Sequence, residues 1–129
     1  MTNRRAFEVE GLPHNSPIPS ASRVGPIIWS SPVAPRDITN GEIPEDTAEQ
    51  VENVFLNIGL VLAAAGVRYD NVGRIEFWLA DGSDRSALNE VWSRYFPDEQ
   101  SRPARQVQES TALPAGVHLM ATFQAWAGE

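Results

Sequence analysis

Apolar residues recur at intervals of three and four between Asp46 and Gly66: Val51, Val54, Phe55, Ile58, Val61, Leu62 and Ala65 fall on one stripe of a helix. Pro44, then Asp46 or Thr47 as N-cap, Glu49 in the first turn and Gly66 after the last apolar position supply its start and stop. From Val72 to Leu79 the period falls to two, with Ile75, Phe77 and Leu79 on one face and Arg74, Glu76 and Trp78 on the other. This predicts a strand between a core and a polar or shared surface. Asp81-Gly82-Ser83 marks a turn and cap, after which Leu88, Val91, Trp92 and Tyr95 form a second, shorter helical stripe ending near Phe96-Pro97.

Upstream, Val24-Gly25-Pro26 predicts a tight turn joining a strand at about Ala21 to Val24 with the β-rich run Ile27-Ile28-Trp29-Ser30-Ser31. Pro13, Pro17 and Pro19 bias the segment before it away from helix and make it an extended lead-in. Downstream, strands are expected at about Ala104 to Ser110 and Val117 to Trp126, separated by the turn Leu113-Pro114-Ala115-Gly116. The order β-β-α-β-α-β-β predicts an α+β domain with one sheet and both helices on one of its faces. The other face then needs cover, which a symmetric oligomer supplies. No repeat, low-complexity tract or linker divides the chain, so residues 1–129 are expected to form one domain, with 1–13 as N-terminal lead-in.

The absence of cysteine excludes disulfides, thiolate metal sites and cysteine nucleophiles. A net charge of -7 repels phosphate backbones, and no aromatic-basic repeat accompanies Arg94, Arg102 and Arg105, so nucleic acid is not an expected partner. Met1 to Glu10 carries Arg4, Arg5, Glu8 and Glu10 without the apolar run of a leader or anchor. The stretch Ile58 to Val67 is about half of what a membrane helix needs, so no membrane association and a cytoplasmic location are expected. Neither His14 nor His118 pairs with acids at a metal-binding spacing, and no glycine-rich phosphate loop or Gly-x-Ser-x-Gly elbow occurs. No metal or other cofactor is expected. Trp29, Trp78, Trp92 and Trp126 are expected in the core or at an interface.

Several segments, taken in order, resemble the Rid (reactive intermediate deaminase, YjgF-like) family over about residues 14 to 127. They are Pro17-Ile18-Pro19-Ser20-Ala21-Ser22-Arg23-Val24-Gly25, Ile28-Trp29-Ser30-Ser31, Gly41-Glu42-Ile43-Pro44, and Gln50-Val51-Glu52-Asn53-Val54 running on to Ala64-Ala65-Gly66. Asn89-Glu90-Val91-Trp92-Ser93-Arg94-Tyr95-Phe96, Arg102-Pro103-Ala104-Arg105 and Leu113-Pro114-Ala115-Gly116 complete the series. The resemblance implies a chorismate-mutase-like α+β fold and a homotrimer with small-molecule clefts between subunits. It also implies that Arg105 binds a substrate carboxylate, that Asn89 lines the cleft and that Ser31 matches the serine of a strand-end Ser-Gly pair. A guanidinium suits the first role, because its planar fork pairs two-pronged with a carboxylate. An edge-strand arginine in solvent and an exposed helix-face asparagine are the alternatives for Arg105 and Asn89.

The chain also departs from the family pattern. Where deaminating members carry a glutamate that positions water, this sequence has Met120, which cannot accept a proton. Ile18 replaces a lead-in tyrosine, Pro32 replaces the glycine after Ser31, and Val107 follows Arg105 on its face, all making the cleft more apolar. By strand alternation His118 and Thr122 share the face of Met120 and are candidates to supply a polar group to the same cleft. A solvated strand histidine is the alternative for His118, as an exposed one is for His14, which the lead-in would otherwise carry towards the cleft. The expected function is hydrolysis of an enamine or imine carboxylate to a carbonyl compound and ammonia. The alternatives are non-catalytic binding of a small carboxylate metabolite in the same cleft, and a pathway-specific enzyme with changed chemistry on a more hydrophobic substrate.

Overall fold

The computed structural model describes residues 3–12, 14 and 16–128; Pro13 and Asn15 of the predicted lead-in lie outside the described residues. Six strands form one sheet: β1 (Arg5–Phe7), β2 (Ala21–Val24), β3 (Ile27–Ser30), β4 (Val72–Leu79), β5 (Ala104–Glu109) and β6 (Leu119–Trp126). Their spatial order is β1-β2-β3-β6-β4-β5, and every neighbouring pair is antiparallel except β4 and β5. Helices α1 (Thr47–Ala64) and α2 (Arg85–Tyr95) make the crossovers, and both pack on the same face. Phe77 of β4 marks that face, stacking on Phe55 of α1 and meeting Trp92 of α2 edge-on.

Local chemistry places the helix ends. Asp46 caps α1, its carboxylate accepting the Glu49 amide at 3.1 Å, and Gly66 takes a positive φ of 79° just past the last turn, where a side chain would be strained. The start of α2 is reached through a 3-10 turn at Gly82–Asp84, in which Asp81 accepts the Ser83 amide. The stripe predicted for α1 is its buried stripe: Val51, Val54, Phe55, Ile58, Val61 and Leu62 are all buried. An aromatic group formed by Phe55, Tyr69, Phe77, Trp92, Tyr95 and Phe96 closes the end of the core beneath both helices. Tyr69 donates its hydroxyl to the Phe55 carbonyl, and burial pushes its phenol well above the ordinary tyrosine range, so it stays a neutral donor.

Two buried amides on α1 fix the connecting chain. Gln50 donates to the carbonyls of Pro44 (2.7 Å) and Gly116 (2.8 Å) and accepts the His118 amide at 2.8 Å, tying the approach to α1 to the entry of β6. Asn57 donates to the carbonyls of Ala34 (3.0 Å) and Arg36 (2.8 Å), holding the segment after β3 along the helix.

The structure adds β1, which the sequence pattern assigned to the lead-in; its three residues pair with Ala21, Ser22 and Arg23. β6 begins at Leu119 and not at Val117, because the Val117 amide donates to the Pro114 carbonyl and closes the turn instead of entering the ladder. β5 likewise ends at Glu109, one residue short of the predicted limit. The sheet face away from the helices carries Arg74, Glu76 and Trp78 opposite Gln124, Thr122 and Met120, with Trp29 opposite Gln124 and Trp126 opposite Ile27. Trp29 is 39% and Trp126 48% exposed, an apolar display that no described element covers. No described helix is long and apolar enough to cross a membrane.

Gln50→Leu removes one buried side chain and leaves two carbonyls and an amide in a partly buried position without their partner. At roughly 1–3 kcal/mol for an unsatisfied buried group, it is expected to destabilise the fold by about 3 kcal/mol in urea unfolding. A loss below about 1 kcal/mol would show that these three groups find other partners.

Candidate functional site

Arg105 sits on β5, the edge strand of the sheet, delivered there by a short pinned connection. Arg102 donates its Nε to the Phe96 carbonyl at 2.8 Å, and Pro103 then leads into the first residue of the strand. The parallel pairing sets Arg105 opposite Ile75 and Val107 opposite Phe77, so both side chains leave on the helix face. There the Arg105 guanidinium lies over the Trp92 ring, 5.0 Å from its centroid, a cation–π contact on a buried platform. Burial first, and the nearby charge of Arg85 second, pull its pKa below the usual arginine value, although arginine remains charged at any physiological pH. The described ion pairs join Arg68 to Asp70, Arg74 to Glu76 and Arg94 to Glu52, so Arg105 has no acidic partner among the described residues. A half-buried, oriented guanidinium with free donors is equipped to take an anion.

Asn89 lies three positions before Trp92 on α2, exposed and on the Trp92 side of the helix, and half-buried Val107 follows Arg105 along β5. These three candidates share one edge of the molecule.

The remaining candidates gather elsewhere. A cleft of about 340 Å³ is lined by Ile18, Pro32, Val33, Pro114 and Met120, with His14, Arg36 and Asn57 contributing polar atoms. Ile18, 39% exposed, forms part of its mouth, and Met120 emerges from β6 opposite Trp78. Ser31 stands beside this cleft and not in its lining; its amide donates to the Ser20 carbonyl at 3.0 Å. Thr122, opposite Glu76, lines a separate shallow depression with Trp29, Arg74 and Gln124. His118 is neither in the cleft nor free in solvent: its Nδ1 lies 2.6 Å from the Thr47 hydroxyl, itself 3.4 Å from an Asp84 carboxylate oxygen. That ring ties the entry of β6 to the first turn of α1.

Within one protomer, therefore, Arg105 and Met120 are on opposite faces of the sheet with β4 between their strands. The candidate residues thus fall into two groups, a cationic edge carrying Arg105 and a largely apolar cleft lined by Met120, which one protomer does not bring together. Three site-proximal residues were not singled out from sequence. Arg85 lies seven positions before Trp92 on the same helical stripe, a spacing that was legible. Arg36, which donates to the Gly41 carbonyl, and Ser20, whose buried hydroxyl has no hydrogen-bond partner among the described residues, reach the cleft only through the fold.

A family model described as Endoribonuclease L-PSP matches residues 12–120. A RutC family protein from Pyrococcus abyssi is 36% identical over 102 residues, covering 78% of this chain and 79% of its own. A Capra hircus protein named 2-iminobutanoate/2-iminopropanoate deaminase is 36% identical over 101 residues, covering 78% of this chain and 72% of its own. The crystal structure of the yeast protein YEO7 superposes with a TM-score of 0.88 at 27% identity, covering 97% of this chain and 99% of that one. Fold, motif order and these matches agree: the chain belongs to the Endoribonuclease L-PSP family, the Rid family of reactive intermediate deaminases, whose named members include imine deaminases.

Proposed function

We propose that the protein hydrolyses an imine or enamine carboxylate: water adds to the C=N carbon, the carbinolamine collapses, and a carbonyl compound and ammonia leave. The observation that carries this reading is Arg105, a half-buried guanidinium seated on Trp92 with no acidic partner among the described residues. Its fork would hold the substrate carboxylate, with Asn89 and Val107 beside it. The named activity of the Capra hircus relative, deamination of 2-iminobutanoate and 2-iminopropanoate, supports the substrate class.

The assembly follows from the same division of residues. In a homotrimer, the exposed tryptophan-bearing faces would pack together, and the Arg105 edge of one subunit would meet the Met120 cleft of the next. The exposed Trp29 and Trp126, and the split between the two groups of residues, support this arrangement. In the joined cleft Ile18, Pro32, Val33 and Met120 would shed water from the substrate body while Arg105 fixes its head. The reactive carbon of an imine is already electrophilic, so positioning contributes without a strong base nearby.

Met120 also favours a second reading. With a thioether where deaminating members have glutamate, the cleft has no carboxylate to orient water, which suits a protein that binds a hydrophobic carboxylate without turning it over, or one with altered chemistry.

Ammonia release from imino acids generated in place by an amino-acid oxidase separates these readings. Wild type is expected to exceed buffer, and Arg105→Ala to lose at least about tenfold of that acceleration, the range of a lost charge-assisted pair. No acceleration by wild type would leave carboxylate binding or altered chemistry as the function. Met120→Glu, which restores the family's residue, is expected to raise the rate by roughly 10²-fold or more, the scale of a gained general base; an unchanged rate would mean that water is oriented by another group. In sedimentation velocity, wild type is expected to run as a trimer and Trp29→Glu, a charge placed on the uncovered face, to shift towards monomer. A monomeric wild type at micromolar concentration would remove the intersubunit cleft.

A further inference from the structure

Resting on the reading of Arg105 as a carboxylate anchor, we propose that Arg85 is a second anion-binding residue of the same cleft, and that the preferred ligand carries two carboxylates. Arg85, Asn89 and Trp92 are spaced four and three apart on α2, which stacks them on one side of the helix. Arg105 rests on the last of the three. Arg85 and Arg105 therefore lie towards the two ends of the same side of α2, with Asn89 between them.

Three further observations make Arg85 unlike an ordinary surface arginine. The first is its place: it opens α2, where the helix dipole is positive and a cation is disfavoured, and no acid in the first turn offsets it. The second is that none of the described acids around it forms an ion pair with it; each instead accepts from a neutral donor. Glu109 accepts the Gly82 amide at 3.2 Å, Asp81 accepts the Ser83 amide at 2.9 Å, and Asp84 faces the Thr47 hydroxyl. On a chain of net charge -7, neither Arg85 nor Arg105 forms an ion pair with an acid among the described residues. The third is that Arg85 is close enough for its charge to lower the basicity of Arg105. Two like charges brought together with no acid paired directly to either among the described residues raise the free energy of the empty site, and a dianion spanning them relieves it. A single carboxylate on Arg105 would leave Arg85 unanswered.

Calorimetric titration of the assembled protein with succinate, glutarate and adipate, each against butanoate, pentanoate or hexanoate of the same length, tests this. At least one dicarboxylate is expected to bind about fivefold or more tightly than its monocarboxylate partner, the scale of one added, partly exposed ion pair. Arg85→Gln is expected to bring that ratio close to one, and added salt to erode it in wild type but not in the variant. A ratio near one in wild type, or one that Arg85→Gln leaves intact, overturns the second site even when Arg105→Ala abolishes monocarboxylate binding and so upholds the anchor. Monocarboxylate binding that survives Arg105→Ala unchanged overturns the anchor, and this inference with it.

Discussion

A sheet with helices on one face only is the constraint from which the rest follows. Both helices converge on Phe77, and burying that much aromatic and branched surface stabilises the fold by roughly 1.5–3 kcal/mol for each large side chain sealed away. The same arrangement leaves the opposite face without cover, and along it Trp29, Trp78 and Trp126 alternate with polar residues. That face mixes apolar rings with an Arg74–Glu76 pair and a 2.6 Å bond from Arg74 to Gln106, the composition of a surface that meets another protein surface and not of a second core. One-sided packing also decides where chemistry resides, because a strand sends alternate side chains to a helix-covered edge and to an open face.

The parallel addition of β5 is the second decisive feature. An antiparallel hairpin would have needed only a tight turn; the parallel register requires a crossover, and α2 is that crossover. The element that makes the geometry possible therefore also supplies the ring on which Arg105 lies. Trp92 is held between Phe77 and Phe96, so the ring on which Arg105 rests is fixed before any ligand arrives. An arginine tethered at a sheet edge by such a contact, about 0.5–1 kcal/mol or somewhat more when desolvated, loses less freedom on binding a carboxylate than one extended in water.

Much of this was legible in the sequence where a period ran long enough. The seven-residue stripe of α1 and the eight-residue alternation of β4 each override local accidents, and their limits match the folded elements to within a residue. Short elements defeat the same logic: Arg5–Phe7 has too few residues to show a period and is a strand because Ala21–Val24 offers it an open edge. Alternation also gives parity without direction. It correctly put Met120, Thr122 and Gln124 on one face, and Arg105 with Val107 on one face, but whether those two faces are the same depends on the β4–β5 and β4–β6 registers, which no local pattern encodes. For His118 the deciding partner, Thr47, is 71 positions away in the chain.

On the proposed function, Met120 limits what chemistry the cleft can perform. A carboxylate at that position, walled by Ile18, Val33 and Pro114, would be partly desolvated, its pKa raised towards neutrality and its basicity suited to taking a proton from water. A thioether there gives up that contribution, of the order of 10²–10⁴-fold, while gaining dispersion contacts with an apolar substrate body. Positioning by a fixed guanidinium would be independent of that loss, since a group that held the carboxylate would also hold the adjacent C=N carbon. On the proposed reading, the sequence exchanges proton transfer for apolar complementarity on one wall while keeping the cationic wall. Such an exchange moves discrimination from the speed of the chemical step to the choice of which carboxylate enters.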